Sequence, residues 1–126
     1  MKLEPPTSQA RSSPRVSFVL TTWNKAKCLE RALERTRKII KPEDELIIVD
    51  GGSTDGTQAV IAEYDNLIDI FISEPDTSTY HALNKGMLLA HGKYIKHLTD
   101  DDEFFSEATE QAIDVLEIHP EIDILL

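Results

Sequence analysis

The feature that most constrains this chain is a regular alternation of short apolar, β-branched runs with single amphipathic stretches. Val16 to Thr21 (VSFVLT), Glu45 to Asp50 (ELIIVD), Leu67 to Ile72 (LIDIFI) and Lys93 to Leu98 (KYIKHL) have the pattern of buried strands, and Ile122 to Leu126 (IDILL) begins a fifth. Between the first two, Leu29, Ala32, Leu33, Thr36 and Ile40 recur at three- and four-residue spacing, which predicts a helix that Lys41-Pro42 ends. A helix from about Gly56 to Tyr64 follows, with Thr54 or Asp55 as its N-cap. The spacing predicts further helices over about 78–91, with Tyr80, Leu83, Met87 and Leu88 on one face, and over about 106–118, with Ala112, Val115 and Leu116 inward. Strands separated by single helices predict an α/β fold with a mostly parallel sheet covered on both faces.

Right-handed crossovers would bring the strand C-terminal ends to one edge of that sheet, and open α/β sheets bind ligands in the crevice there. At that edge lie Thr21-Thr22, Asp50, Glu74-Pro75-Asp76 and Thr99-Asp100-Asp101-Asp102. Four consecutive acids, Asp100 to Glu103, repel one another. A divalent cation offsets that repulsion, because Mg²⁺ and Mn²⁺ prefer carboxylate oxygens and leave room for substrate phosphates. The plain alternative is a solvated acidic loop favouring the N-terminus of the next helix. Asp50-Gly51-Gly52-Ser53-Thr54-Asp55-Gly56 is either a tight strand-to-helix turn or a place where backbone approaches a ligand. It matches neither the dinucleotide G-x-G-x-x-G fingerprint nor a P-loop.

Other features carry less. Trp23, the single tryptophan, flanks a ligand or packs on the helix; Asn84-Lys85-Gly86 orients phosphates or is simply solvated. Tyr80 and His81 fall near the ligand edge. No His pair has metal-ligand spacing, and the lone Cys28 forms no disulfide within the chain. With 23 acidic and 13 basic residues, a formal net charge of −10 and no basic stripe, nucleic-acid binding is not expected. No apolar run reaches the ~18–20 residues of a membrane span. Residues 1–15, with three of the six prolines, read as a mobile leader without a signal-peptide core. A cytoplasmic location is the expectation, with the inner face of the membrane as the alternative.

In order and spacing, VSFVLTTWN (Val16 to Asn24), IIVDGGSTDGT (Ile47 to Thr57), SEPDTSTYHALNKG (Ser73 to Gly86) and GKYIKHLTDDD (Gly92 to Asp102) resemble the N-terminal half of family 2 glycosyltransferases. The resemblance implies the GT-A fold, a Rossmann-like three-layer α/β/α arrangement that binds a nucleotide-diphosphate sugar at its switch point. Carried over residue by residue, it implies that Thr21, Thr22 and Asn24 border the nucleoside and that Asp50 recognises the base, commonly uracil. It places Asp76, Asn84 and Lys85 in the donor site and Asp100 at the ribose or a nearby water, with Asp101 and Asp102 as ligands of Mg²⁺ or Mn²⁺. Thr99 stands where the family commonly has Asp or Asn, which leaves the ligand assignment open by one residue.

The activity so implied is metal-assisted, inverting transfer of a sugar, from a UDP-sugar by expectation, to a hydroxyl of a saccharide or lipid-linked acceptor in polysaccharide or glycolipid assembly. The family's catalytic base lies in the C-terminal half, so it is expected beyond Leu126, and residues 16–126 are expected to be the donor-binding part alone. The alternative is a non-catalytic nucleotide-binding or interaction module. A receiver-like domain fits less well, because the loop after the first strand has no acid. A nucleotidyltransferase fits less well, because no glycine-rich basic loop follows that strand.

Overall fold

The computed structural model describes residues 13–101 and 106–125. Strands β1 (Val16–Thr22), β2 (Glu45–Asp50), β3 (Ile70–Ser73) and β4 (Tyr94–Thr99) alternate with helices α1 (Ala26–Ile39), α2 (Thr57–Glu63), α3 (Thr79–Leu89) and α4 (Ser106–Ile118). All strand pairs are parallel and the order is β3-β2-β1-β4. The chain first winds outward from β1 through β2 to β3, then crosses back to place β4 on the other side of β1. The winding therefore reverses at the β1/β4 seam, where the ends of two neighbouring strands part and leave a crevice.

Alternation along the strands divides the core. Val16, Phe18, Leu20, Leu46, Ile48 and Leu98 pack with Leu29 and Leu33 of α1, Ile61 of α2 and Ile113 of α4. Val19, Ile47, Val49 and Ile70 face the other way, onto Ala82 of α3. Right-handed crossovers with this reversed winding put α1 and α2 on one face and α3 on the other, and α4 packs on the face of α1 and α2. β1 and β2 are buried along their full lengths, so their runs are apolar on both faces.

Four expectations are corrected. Tyr80, Met87 and Leu88 do not form the inward face of α3; they are exposed, Leu88 to 87%, and the helix instead seats Ala82 and Gly86 on the sheet. A Cβ on Gly86 would overlap Val19 Cγ1 and lie 3.3 Å from Val49 Cγ2, so this helix approaches the sheet through its smallest residues. In α4 the buried residue is Ile113, and Val115 is exposed. Residues 122–125 form no strand: Ile124 and Leu125 are exposed, and Ile122 N–H turns back to the His119 carbonyl. Finally, Pro14 and Arg15, assigned to the leader, belong to the folded unit. Their carbonyls accept from Lys93 and Tyr94 N–H, and the Arg15 guanidinium pairs with Asp44 (3.1 Å) and Glu110 (2.8 Å). Residues 1–12 lie outside the described residues.

Candidate functional site

A cleft of about 770 Å³ opens over the β1/β4 seam, a size that suits a nucleotide-sized ligand. Thr21, Thr22, Trp23 and Lys25 line it from the end of β1 and the turn into α1. Gly51 and Gly52 line it after β2, Pro75 to Thr79 at the entry to α3, and Thr99, Asp100 and Asp101 at the end of β4. Trp23 is 62% exposed and so presents an aromatic face to whatever enters.

The β1 and β2 loops are locked together. Asn24, in the left-handed region at φ 49°, donates its N–H to Ser53 Oγ (2.8 Å) and accepts from Thr54 N–H through Oδ1 (2.8 Å). Asp55 accepts from the N–H groups of Ala26 (3.2 Å) and Thr57 (2.9 Å), tying the starts of α1 and α2 to one carboxylate. The expected N-cap at Thr54 or Asp55 is corrected: Gly56 holds the cap position without a side-chain cap bond, and Asp55 accepts from Thr57 N–H from just outside the helix. Gly52 has φ 84°, a conformation that only glycine adopts without strain.

Asp50 lies beneath this turn. It is fully buried, and it does not line the cleft. Its carboxylate accepts from Ser53 N–H (3.0 Å), the Ser53 hydroxyl and the Ser73 hydroxyl (2.7 Å), so it holds the Gly51-Gly52-Ser53 bend to the end of β3. Asp76 does line the cleft, packed against the backbone of Gly51. Lys85 lies behind it, with Nζ 3.1 Å from the Pro75 carbonyl and 3.0 Å from Glu74 Oε1; it braces the segment that presents Asp76. Neither Lys85 nor Asn84 lines the cleft, and Asn84 is exposed.

At the seam, Thr22 Oγ1 donates to Asp100 Oδ2 at 2.8 Å. Asp100 is 6% exposed, and burial pushes its carboxyl up despite the opposing pull of Thr22 and of Lys25, whose ammonium lies 3.9 Å away. Asp101 is exposed, and its contact with the Lys25 ammonium holds its carboxyl below the usual range. Lys25 gave no sequence signal. It follows Asn24 in an ordinary helix entry, and only the fold brings it to two acids some 75 positions away. Thr21 Oγ1 meets His97 Nε2 at 3.0 Å, a pairing set by the β1/β4 register that residue spacing did not indicate. Asp102 lies outside the described residues.

Among the described residues no cluster of three or more His, Cys, Asp or Glu groups forms a metal cage built of protein alone. Two adjacent carboxylates, one buried and resisting its charge, instead suit a cation that completes its shell with phosphate oxygens and water.

The sequence profile described as Glycosyl transferase family 2 matches residues 17–125. The chain belongs to glycosyl transferase family 2. Among its relatives are a putative teichuronic acid biosynthesis glycosyltransferase of Bacillus subtilis, 27% identical over 82% of this chain and 42% of that protein. A PGL/p-HBAD biosynthesis glycosyltransferase of Mycobacterium bovis is 33% identical over 78% of this chain and 40% of that protein. The chain thus spans less than half the length of these two family members.

A mannosyltransferase from Pyrobaculum calidifontis, solved with GDP-Man and Mn²⁺, superposes with a TM-score of 0.73 at 23% identity, over 90% of this chain and 34% of that one. S. aureus TarS 1-349, solved with UDP-GlcNAc, superposes with a TM-score of 0.71 at 21% identity, over 84% of this chain and 32% of that one. These likenesses establish the family 2 fold: the parallel sheet and its helices are the corresponding part of a GT-A glycosyltransferase.

Proposed function

We propose that this chain binds the nucleotide-diphosphate sugar of a family 2 glycosyltransferase that transfers sugar to an acceptor hydroxyl. The observation that carries the reading is the cleft at the switch point, where Asp100 and Asp101 face Trp23, Gly51-Gly52 and Asp76 across one opening. In this assignment the base lies against Trp23 and the β2 and β3 loops, and the diphosphate reaches Asp100, Asp101 and Lys25. Thr21 and Thr22 form the floor between them. Asn24, Asp50 and Lys85 then act by holding the loops, not by touching the sugar nucleotide.

Mg²⁺ or Mn²⁺ fits at Asp101, with Asp100 beside it and Asp102 following, and would neutralise the diphosphate as it leaves. Thr22 holds the buried Asp100 in one orientation and opposes the upward push of burial on its carboxyl, and Lys25 supplies a second positive charge at the same place. Two solved neighbours hold a nucleotide sugar, one GDP-Man and one UDP-GlcNAc, which supports the ligand class. The proposed chemistry is attack by a saccharide or lipid-linked hydroxyl on the anomeric carbon with inversion, a base taking the hydroxyl proton. That base is proposed to lie outside this chain. No helix among the described residues is long and apolar enough to cross a membrane.

Calorimetric titration with UDP and GDP, with and without Mn²⁺, on the wild type and on Asp101→Ala tests the reading. Metal-dependent binding that the substitution abolishes supports it. Absence of binding for both nucleotides in either metal condition overturns it.

A further inference from the structure

We infer that His97 is a positioning residue of the cleft: it holds the Thr21 hydroxyl so that the hydroxyl proton is given to an anionic oxygen of the bound ligand. The inference rests on the nucleotide-sugar reading above, and it concerns a residue that does not itself line the cleft. His97 is half-buried in β4, opposite Val19 in the register with β1, and its Nε2 lies 3.0 Å from Thr21 Oγ1. Thr21 is 4% exposed and does line the cleft, so the imidazole acts on the ligand space through that hydroxyl.

Two adjacent threonines end β1, and strand alternation sends their side chains to opposite faces of the sheet. Thr21 falls on the side of Val19, which packs on α3, and Thr22 on the side of Leu20, which packs with α1. Each is bonded across the seam, Thr21 to His97 and Thr22 to Asp100. The two partners differ in what they can do. A carboxylate only accepts, so the Thr22 proton is committed to Asp100 Oδ2 and Thr22 has only lone pairs left to offer. An imidazole nitrogen donates or accepts according to its tautomer, so the Thr21 proton is not committed in the same way.

The chemistry follows from the single proton a hydroxyl carries. With Nε2 as a bare acceptor, Thr21 spends that proton on the ring and turns lone pairs toward the cleft, which repel the oxygens of a diphosphate. With hydrogen on Nε2, Thr21 accepts from the ring and donates to the ligand. An anion in the cleft selects the second arrangement, because it pairs all three groups in sequence: Nε2–H to Oγ1, then Oγ1–H to the anionic oxygen. The ring thereby fixes the rotor of the hydroxyl and sets its polarity. Thr21 and Thr22 are then oppositely polarised neighbours on one cleft floor, the first a donor to the ligand and the second an acceptor.

The experiment measures dissociation constants of UDP and GDP for the full chain in Mn²⁺, using wild type, His97→Leu, His97→Gln, Thr21→Val and the double variant of His97→Leu with Thr21→Val. His97→Leu is expected to weaken the better-bound nucleotide by about three- to tenfold, the scale of one net hydrogen bond in a partly open site. The Gln amide donates N–H as the ring does, so His97→Gln is expected to stay within about twofold of wild type, a rescue that a merely space-filling role would not give. Thr21→Val is expected to lose about as much as His97→Leu, and the double variant no more than either, because the ring acts through the hydroxyl. Unchanged or tighter binding by His97→Leu overturns the inference, since it shows the ring taking the Thr21 proton away from the ligand. Failure of Gln to rescue, or additive losses in the double variant, overturns it as well. Thr21→Val keeps the shape of the side chain and decides the matter whatever the His97 variants do to folding: wild-type affinity there overturns the inference and leaves the nucleotide-sugar reading standing. No nucleotide binding by the wild type overturns that reading itself.

Discussion

Thr22 Oγ1 donates a 2.8 Å hydrogen bond to Asp100 Oδ2, joining the C-terminal ends of β1 and β4 across the seam where the sheet reverses its winding. The donor is 6% exposed, as is the acceptor, so this bond is made out of water and holds the buried acid in one orientation. Replacing Thr22 by Val keeps the shape and removes the donor. The expected result is a loss of about 1–3 kcal/mol in stability, the cost of an unsatisfied buried polar group. Mn²⁺-dependent nucleotide affinity should fall with it. Chemical denaturation and calorimetry on the same variant check both halves.

Gly86 is predicted to be intolerant of even one methyl. Gly86→Ala places a Cβ into Val19 Cγ1 and against Val49, and overpacking of this kind costs about 1–3 kcal/mol. The double variant with Val19→Ala should recover part of the loss, because the clash is removed at the expense of a smaller core residue. Thermal melting of both single variants and the double variant gives the coupling; strictly additive losses would contradict the steric account.

The acid side of the stability profile should depend on Glu110. Arg15 first, and then Lys41, pull its carboxyl from 4.5 down to about 2. A folded-state pKa below the unfolded one stabilises the fold above the unfolded value, and the gain is lost as pH falls from about 4.5 towards 2. Because the Glu110 side chain is 40% exposed, solvent screening limits the contribution to about 1 kcal/mol or less. Glu110→Gln should therefore lower the melting temperature at neutral pH, and the difference from wild type should vanish near pH 2. A melting series from pH 7 to pH 2 reads this directly.

Lys85 is expected to act through the loop it braces. Lys85→Met keeps the half-buried stem and removes the bonds to the Pro75 carbonyl and Glu74. Nucleotide affinity should drop by up to about tenfold, with melting almost unchanged, since surface ion pairs add little stability. A large loss of stability with unchanged affinity would show that Lys85 supports the helix and not the loop.

Periodicity and turn chemistry identified all four described strands and all four helices, because β-branched runs and three-four spacing report burial directly. They misread the inner face of α3, since that method weights large apolar residues. α3 approaches the sheet through Ala82 and Gly86, and Tyr80, Met87 and Leu88 turn outward. They predicted a strand over 122–126; residues 122–125 form none, and among the described residues no strand pairs with them. The acids at the strand ends were legible as candidates, because parallel topology sends every such end to one edge.

What the sequence alone determined is the alternation of elements, the edge that carries the cleft and the resemblance to family 2, all consequences of local pattern and motif order. The division of labour inside the cleft was decided by the tertiary structure. In a linear reading Asp50 and Asp76 are both acids at strand ends, and the resemblance assigned the base to Asp50. Packing turned the first inward onto Ser53 and Ser73 and set the second over the bare backbone of Gly51. Likewise Lys25 and Asp101 are far apart in the chain, and only β1/β4 pairing brings them into contact. Spacing encodes which face of an element a residue occupies; hydrogen-bond saturation and long-range charge contacts depend on neighbours that only the folded chain supplies.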